Sequence, residues 1–581
     1  MKKIFFYLLP LLLIAGCQTK EIRQDEEPYM PLEQQVKSAL MELYNATDGP
    51  NWLKQPNWAD AKFTDYDFID FDWGFIIDLH GLGLSGELPS SLFDLPITEI
   101  YLQDNDLQGT LPDNVGKNGL LQVLDVSNNK LTGSLPSSLS NSVNAQISCN
   151  NNKMRGTIPQ EIVENCLKLN SWILSPQRLG NKFDPIVMAD LQEKDVDALR
   201  AIYNEMTSDT QNELGWKMND DPRNWKGVYW NATGHCIGLE MKSISLNKLS
   251  SHINDLTSLK LLNLSDNYLK EIPSIASLTE LQLLDLSSNH IISLPEGLFM
   301  CTNLKLLDFN NNSIAGEIPE EINQLKNLIL LDLGINLFTG TVPAMDNLTE
   351  LMYLSLSELE NLDIQPLPKG IAKMKKLQML FLHEDNFIGI IPESWSELTD
   401  LVIFNVEMNH LNGSVEKLFS KMKLLNEVSL NYNTFTGALP EFNEKNTLKD
   451  LYLDENTFSG DIPEHWSRLK NIKGIHFKGN AITGNIPAFF GDFEHITYLN
   501  CEWNMMSGVL PVEVTNLTYF IMFKWENQDG PGLTLPERQS FVQSATQLNA
   551  TIPITQVTSN NDRRNEIKTR FAEELRQSLG M

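Results

Sequence analysis

Leu425-Asn426-Glu427-Val428-Ser429-Leu430-Asn431-Tyr432-Asn433 places apolar residues at 425, 428 and 430 and ends on an asparagine. The frame LxxLxLxxN recurs along the chain. It brings up Asn105, Asn129 and Asn152 in one series, then Asn267, Asn289, Asn312, Asn336, Asn409, Asn433, Asn456, Asn480 and Asn504 in a second. Where no repeat is skipped, the interval is 22 to 24 residues. Three apolar positions per turn cannot seal a core within one coil, so each coil must stack on its neighbours. The alternation in LxL predicts short strands with one buried face, joined into a parallel sheet whose other face is open. The asparagine ends each strand, where its amide can donate to and accept from main-chain groups that would otherwise be buried unpaired.

Most repeats continue as LxGxIP, for example Gly109-Thr110-Leu111-Pro112, Gly316-Glu317-Ile318-Pro319 and Gly460-Asp461-Ile462-Pro463. Glycine permits a tight turn, and proline fixes φ and withholds a donor, ending the extended segment. Over residues 76–174 and 237–528 the pattern resembles the plant-type leucine-rich repeats of plant receptor ectodomains and many bacterial surface lipoproteins. The resemblance implies an α/β solenoid, a horseshoe with a parallel concave sheet. Leu82 and Ile244 stand at ladder positions where the arrays open, and Leu359 and Asp385 stand there internally. The last two flank Asp363-Ile364-Gln365-Pro366-Leu367-Pro368, an insertion expected to bulge or kink the solenoid as a loop, or else to protrude as a binding element.

Before each array the chain changes character. Ser38-Ala39-Leu40-Met41-Glu42-Leu43-Tyr44-Asn45 precedes Trp52 and Trp58, and Asp197-Ala198-Leu199-Arg200-Ala201-Ile202-Tyr203-Asn204 precedes Trp216 and Trp225. Helical spacing followed by tryptophans resembles the N-terminal cap of plant-type repeat domains, which covers the open edge of the core. The expected order is a first cap at 32–75, an array of four repeats at 76–174, and a linker and second cap at 175–236. A second array follows at 237–530, with twelve repeats and a degenerate one at Phe520-x-x-Phe523-x-Trp525. A C-terminal segment at 531–581 ends in a helix carrying Ile567, Phe571, Leu575 and Leu579 on one side.

Residues 1–17 read as a secretion signal: Lys2 and Lys3, an apolar run from Ile4 to Ile14, then Ile14-Ala15-Gly16-Cys17. That ending resembles a lipobox, which implies lipidation of Cys17. Gln18 after the cysteine implies sorting to the outer membrane, with the cell surface favoured and the periplasmic face as the alternative, and residues 18–31 serve as a polar tether. Against 45 basic residues stand 75 acidic ones, a net charge of −30. Such a chain repels the phosphates of nucleic acid and of an anionic bilayer, so contact with the membrane is expected through the lipid alone. Cys149 and Cys501 occupy inward positions, Cys166 and Cys301 fall on return segments, Cys236 lies in the second cap, and no CxxC occurs.

No motif in the chain points to catalysis, a metal or a cofactor. Gly81-Leu82-Gly83-Leu84-Ser85-Gly86 matches a dinucleotide fingerprint, but Leu82 and Leu84 are repeat positions and no helix follows. Asp65, Asp67, Asp70 and Asp72 lack the glycine and glutamate of a calcium loop. His383, Glu384 and Asp385 alternate sides of a strand and cannot all reach one ion. The candidate site is therefore the open face: Tyr353, Phe381, His383, Glu407, Tyr432, Tyr452, Asp454, His476, Lys478, Tyr498, Asn500, Glu502 and Trp503. Aromatics with polar neighbours are the composition of protein-binding hot spots and also suit stacking on sugars. The expected function is binding of a protein or peptide ligand, with a glycan ligand or a passive structural role in an envelope assembly as alternatives.

Overall fold

The computed structural model describes residues 32–534 apart from 59–66, 71–75, 96, 118, 120, 143–145, 160, 163–179, 184–189, 232 and 517–521. Cys17, the tether, the C-terminal helix and most of the linker at 175–192 lie outside the described residues. The chain divides into two compact units: Met1–Leu264 with Pro273–Leu284 and Ile567–Met581, and Ser265–Ile272 with Asp285–Glu566.

In the first unit, helix α1 (Leu32–Ala46) turns Val36, Ala39, Leu40 and Leu43 inward. These side chains join one core with Trp52, Trp58 and the first repeats' Ile77, Leu84, Ile100 and Leu124. The Trp52 indole donates to the carbonyl of Thr47 at 2.9 Å and meets Trp58 edge-on at 5.7 Å. Ile69–Asp70 pairs antiparallel with Ile76–Asp78; Glu99–Tyr101, Val123–Asp125 and Gln146–Ser148 then follow in parallel. Helices α2 (Glu193–Asn204) and α3 (Ser208–Leu214) precede a similar arrangement. There Val228–Trp230 runs antiparallel to Cys236–Glu240, which pairs in parallel with Leu261–Asn263.

The second unit carries ten parallel strands in unbroken order from Leu306–Asp308 to Met522–Lys524. Their inward residues share one register: Leu307, Leu331, Leu354, Leu380, Phe404, Val428, Leu451, Ile475, Leu499 and Phe523. The repeat pattern predicts one sheet, but the segments after the asparagines form another. Gln365–Pro366, Phe387–Ile390, His410–Gly413, Thr434–Gly437, Thr457–Asp461 and Ala481–Thr483 make a six-stranded parallel sheet. Alternation supplies the reason, since in Thr434-Phe435-Thr436 only Phe435 is buried and the exposed threonines leave the backbone open to pairing. The insertion is absorbed into this sheet. Gln365–Pro366 is its first strand, and the Gln365 side chain accepts the Val342 N–H at 2.8 Å.

The asparagine ladder has the expected chemistry. Asn456 accepts the N–H of Phe435 at 3.1 Å and donates to the carbonyls of Leu430, Leu453 and Asp454 at 2.9, 3.3 and 3.2 Å. Asn105, Asn129, Asn152, Asn409, Asn433 and Asn504 repeat this pattern while buried, as does Asn336. Asn267 and Asn289 are also buried, whereas Asn312 and Asn480 are half-buried. Three further residues take up the ladder position. Asn181 accepts the N–H of Met154, Gln528 that of Met506, and Asp385 that of Leu359.

The residue before each ladder position is left-handed whether or not an asparagine follows. Gly81, Asp104, Ser243, Ile335, Glu358, Glu384, Met408, Tyr432, Glu455, Gly479 and Trp503 all have φ between 52° and 67°. The strand must reverse there so that the next side chain can point inward. Glycine meets that demand freely, but a β-branched residue does not.

Asn456→Ala is expected to destabilise by about 1–3 kcal/mol, because the Phe435 N–H and three carbonyls lose their partner. Asn443 is not a silent comparison, since it donates to Ser420 and accepts from Lys445. Chemical denaturation should nonetheless show the larger loss at 456, and equal midpoints would refute the ladder's role. Ile335→Asn should raise the melting temperature, because asparagine tolerates φ 53° better than isoleucine by about 1 kcal/mol. A lower melting temperature would show that side-chain packing outweighs backbone strain there.

Candidate functional site

The register of the ten strands makes the open face a grid. Each repeat offers two outward strand residues, one after the next inward position, and the left-handed residue at the exit. Successive repeats lie about 4.8 Å apart. Read from residue 403 onward, the first column is Ile403, Glu427, Asp450, Gly474, Tyr498 and Met522, and the second is Asn405, Ser429, Tyr452, His476, Asn500 and Lys524. Glu407, Asn431, Asp454, Lys478, Glu502 and Glu526 form the third column. Met408, Tyr432, Glu455, Gly479, Trp503 and Asn527 form the exit column.

Four of the expected site residues do not belong to an open surface, and three of them lie together. Tyr353 is fully buried, and Phe381 and His383 are each 6% exposed. The Tyr353 hydroxyl donates to Asp332 Oδ2 at 2.9 Å, its ring packs on Phe381 at 5.5 Å, and Phe381 meets His383 edge-on. His383 Nε2 stands 3.8 Å from Glu358. Side chains large enough to reach the next repeat cover one another, and the face there is closed.

The remaining residues fall together over the repeats ending at Asn409 to Asn504. Tyr452, His476 and Tyr498 are half-buried and form a run of near-parallel rings, with centroids 4.9 and 6.2 Å apart and planes within 27°. Gly474 makes room for it, because a Cβ there would lie 3.2 Å from Asp450 and 3.5 Å from the His476 ring. Burial lowers the His476 pKa to about 4, so the stack is uncharged at neutral pH.

Beside the rings, each carboxylate is held from a neighbouring repeat. Glu407 accepts from the Ser429 hydroxyl and the Asn431 amide, Asp454 accepts the Lys478 N–H at 2.6 Å, and Glu502 accepts the Asn527 amide at 3.1 Å. Burial raises the Asp454 pKa to about 6, against the lowering effect of the Lys478 N–H and its charge. The Lys478 ammonium turns to Glu455 at 3.0 Å. Asn500 is buried and bonds to the Glu502 N–H.

Tyr432 and Trp503 are read from the sequence as strand residues, and the structure corrects this. They stand in the exit turns at φ 52° and 56°, with 54% and 50% of their surface exposed. Their rings therefore line the edge between the two sheets. Sequence reasoning missed their companions Met408 and Met505, which are 46% and 50% exposed. The signal was available: each lies one residue from a ladder asparagine, where the side chain cannot turn inward.

The leucine-rich-repeat family model matches residues 120–142 and 303–325. Phytosulfokine receptor 1 of Arabidopsis thaliana is 29% identical over 132 residues, 22% of this chain and 11% of that protein. Receptor-like protein kinase 7 of the same plant is 34% identical over 190 residues, 32% of this chain and 17% of its own length. The chain thus spans less than a fifth of these relatives. Among solved structures, the plant peptide hormone receptor RGFR1 in complex with RGF2 aligns at a TM-score of 0.45 and 22% identity, covering 78% of this chain and 63% of that one. A Leptospira interrogans leucine-rich-repeat protein aligns at 0.37 and 22%, covering 81% and 93%. With its asparagine ladder, its LxGxIP turns and the matched segments, the chain is built of leucine-rich repeats that resemble the plant type.

Proposed function

We propose that this protein binds a protein or peptide ligand of basic character on the open face between Glu407 and Trp503. The observation that carries the reading is the uncharged ring stack of Tyr452, His476 and Tyr498 set beside carboxylates already held in place. Rings attract a lysine or arginine side chain through their faces, and fixed carboxylates complete the contact without further ordering cost. Glu407, Asp454 and Glu502 are joined by Asp450 and Glu526, against Lys524 and a Lys478 already tied to Glu455. Tyr432, Trp503, Met408 and Met505 would supply apolar anchors along the rim, a composition favoured at protein interfaces. One plant relative is named a receptor and another a receptor-like protein kinase, which fits the reading. A glycan is the second reading, because near-parallel rings also stack on sugar faces.

We further infer that Cys17 carries lipid and tethers the protein to the outer membrane, with the binding face toward the exterior. The motivation is Lys2-Lys3, the apolar run and Ile14-Ala15-Gly16-Cys17. No helix among the described residues is long and apolar enough to cross a membrane.

The test is to pan a random peptide library and a glycan array against the full chain. Selected peptides should be basic and aromatic. They should lose about 30-fold or more in affinity, about 2 kcal/mol, against the Tyr452→Ala, Trp503→Ala double variant. Binding should weaken between pH 7.5 and 5.5 as Asp454 takes up a proton near 6 and one fixed negative charge disappears. Undiminished binding to the double variant would remove the site, and glycan hits alone would replace the peptide reading. For the anchor, wild type should fractionate with membranes and Cys17→Ala should not; membrane retention of the variant after a salt wash would overturn lipidation.

A further inference from the structure

A cavity of about 400 Å³ opens where the residues before the second array meet its first repeat. It lies between the end of α3, the turn at Lys226 and Gly227, the strand residues Tyr229 and Glu240, and the turn from Lys242 to Ile244. We propose that it is a small-molecule site for a zwitterion of the α-amino-acid class, free or as a short peptide. Lys226 and Lys242 would take the carboxylate, and Glu213 and Glu240 the ammonium. This site is independent of the open face described above.

The walls are preformed. Trp216 is stacked between Tyr203 and Trp225, with centroids 6.0 and 5.0 Å away, and its indole donates to the Lys226 carbonyl at 2.7 Å. The Glu240 N–H donates to the Gly227 carbonyl at 2.7 Å. Gly227 has φ 76°, and a Cβ there would lie 2.1 Å from the Glu240 carbonyl, so the turn carrying Lys226 is locked against the strand carrying Glu240. From the side chains, the Tyr229 hydroxyl donates to Glu240 Oε2 at 2.7 Å and the Ser245 hydroxyl to Glu213 Oε1 at 3.2 Å.

Charge is what singles the cavity out. Two ammonium groups and two carboxylates line it, yet among the described residues neither lysine stands within 4.0 Å of a carboxylate. Some exposed lysines elsewhere on this acidic chain close onto an acid, as Lys130 does on Asp106 at 2.7 Å and Lys417 on Glu441 at 2.5 Å. The chain also supplies its own comparison. In the first unit's opening strands, Ile77 holds the register position that Leu239 holds here, so Asp78 and His80 correspond to Glu240 and Lys242. There the pair is closed, with His80 Nδ1 2.5 Å from Asp78. In the second segment, acid and base are kept apart across a space of the size that small ligands occupy. A ligand with both charges satisfies both ends at once; an ion of either sign would meet one repelling pair.

The experiment is calorimetric titration of the full chain with L-amino acids one at a time, each up to about 10 mM, the weak end of specific binding. Acetate and methylamine serve as single-charge probes. At least one amino acid should bind, with acetate and methylamine showing no heat of binding. Lys226→Met, Lys242→Met and Glu240→Gln should each weaken it by about tenfold or more, the loss of one charged hydrogen bond, with the melting temperature unchanged. Tyr229→Phe, which keeps the wall and removes only the hydroxyl, guards against a folding defect in Glu240→Gln and should weaken binding less. Absence of binding by every amino acid, equal binding of acetate, or undiminished binding in both lysine variants would overturn the proposal.

Discussion

One side-chain amide at most strand exits holds the repeats together, with the Asp385 carboxylate standing in at one of the others. The amide accepts a backbone N–H from the preceding coil and donates to carbonyls of its own and that coil, as Asn456 does between Phe435, Leu430 and Leu453. A solenoid has no deep core in which a coil could lose its backbone polarity to a neighbour's side chains, so each tight turn must be satisfied locally and in the same way. Repetition of this one bond is what keeps ten strands in a single register without a slip.

That bond also fixes the conformation before it. For the amide to point inward, the preceding residue must adopt positive φ, and the chain accepts this even at Ile335, Tyr432 and Trp503. The strain has a useful consequence at the last two, because a residue in that geometry cannot bury its side chain between the sheets. Large rings are thereby held out at the rim, where Met408 and Met505 accompany them. A structural requirement of the coil and the placement of candidate contact residues are the same feature.

The two faces of the second unit's main sheet differ along its length for a reason of side-chain size and charge. Around residues 353–383, long aromatic groups bridge adjacent repeats and bond to buried acids, closing the surface. From residue 450 onward, outward positions mix a glycine and an aspartate with rings, so neighbours cover one another less and Tyr452, His476 and Tyr498 remain half-buried. Gly474 shows the logic at one position: removing a side chain from the grid is what lets the His476 ring lie flat.

The sequence by itself determined the solenoid, its period, the inward residues and the ladder asparagines, because these depend on local spacing that every coil repeats. It also marked Glu407, Tyr452, Asp454, His476, Tyr498 and Glu502 as facing outward. Only the tertiary structure decided that Tyr353, Phe381 and His383 are buried, since exposure on a sheet depends on what the next strand carries. It likewise moved Tyr432 and Trp503 from strand to turn, drew Gln365–Pro366 from an expected bulge into a second sheet, and set Lys226 and Lys242 apart from their acids around a cavity. Periodicity along the chain fixes which way a side chain points, whereas contacts between coils 20 or more residues apart fix what it meets.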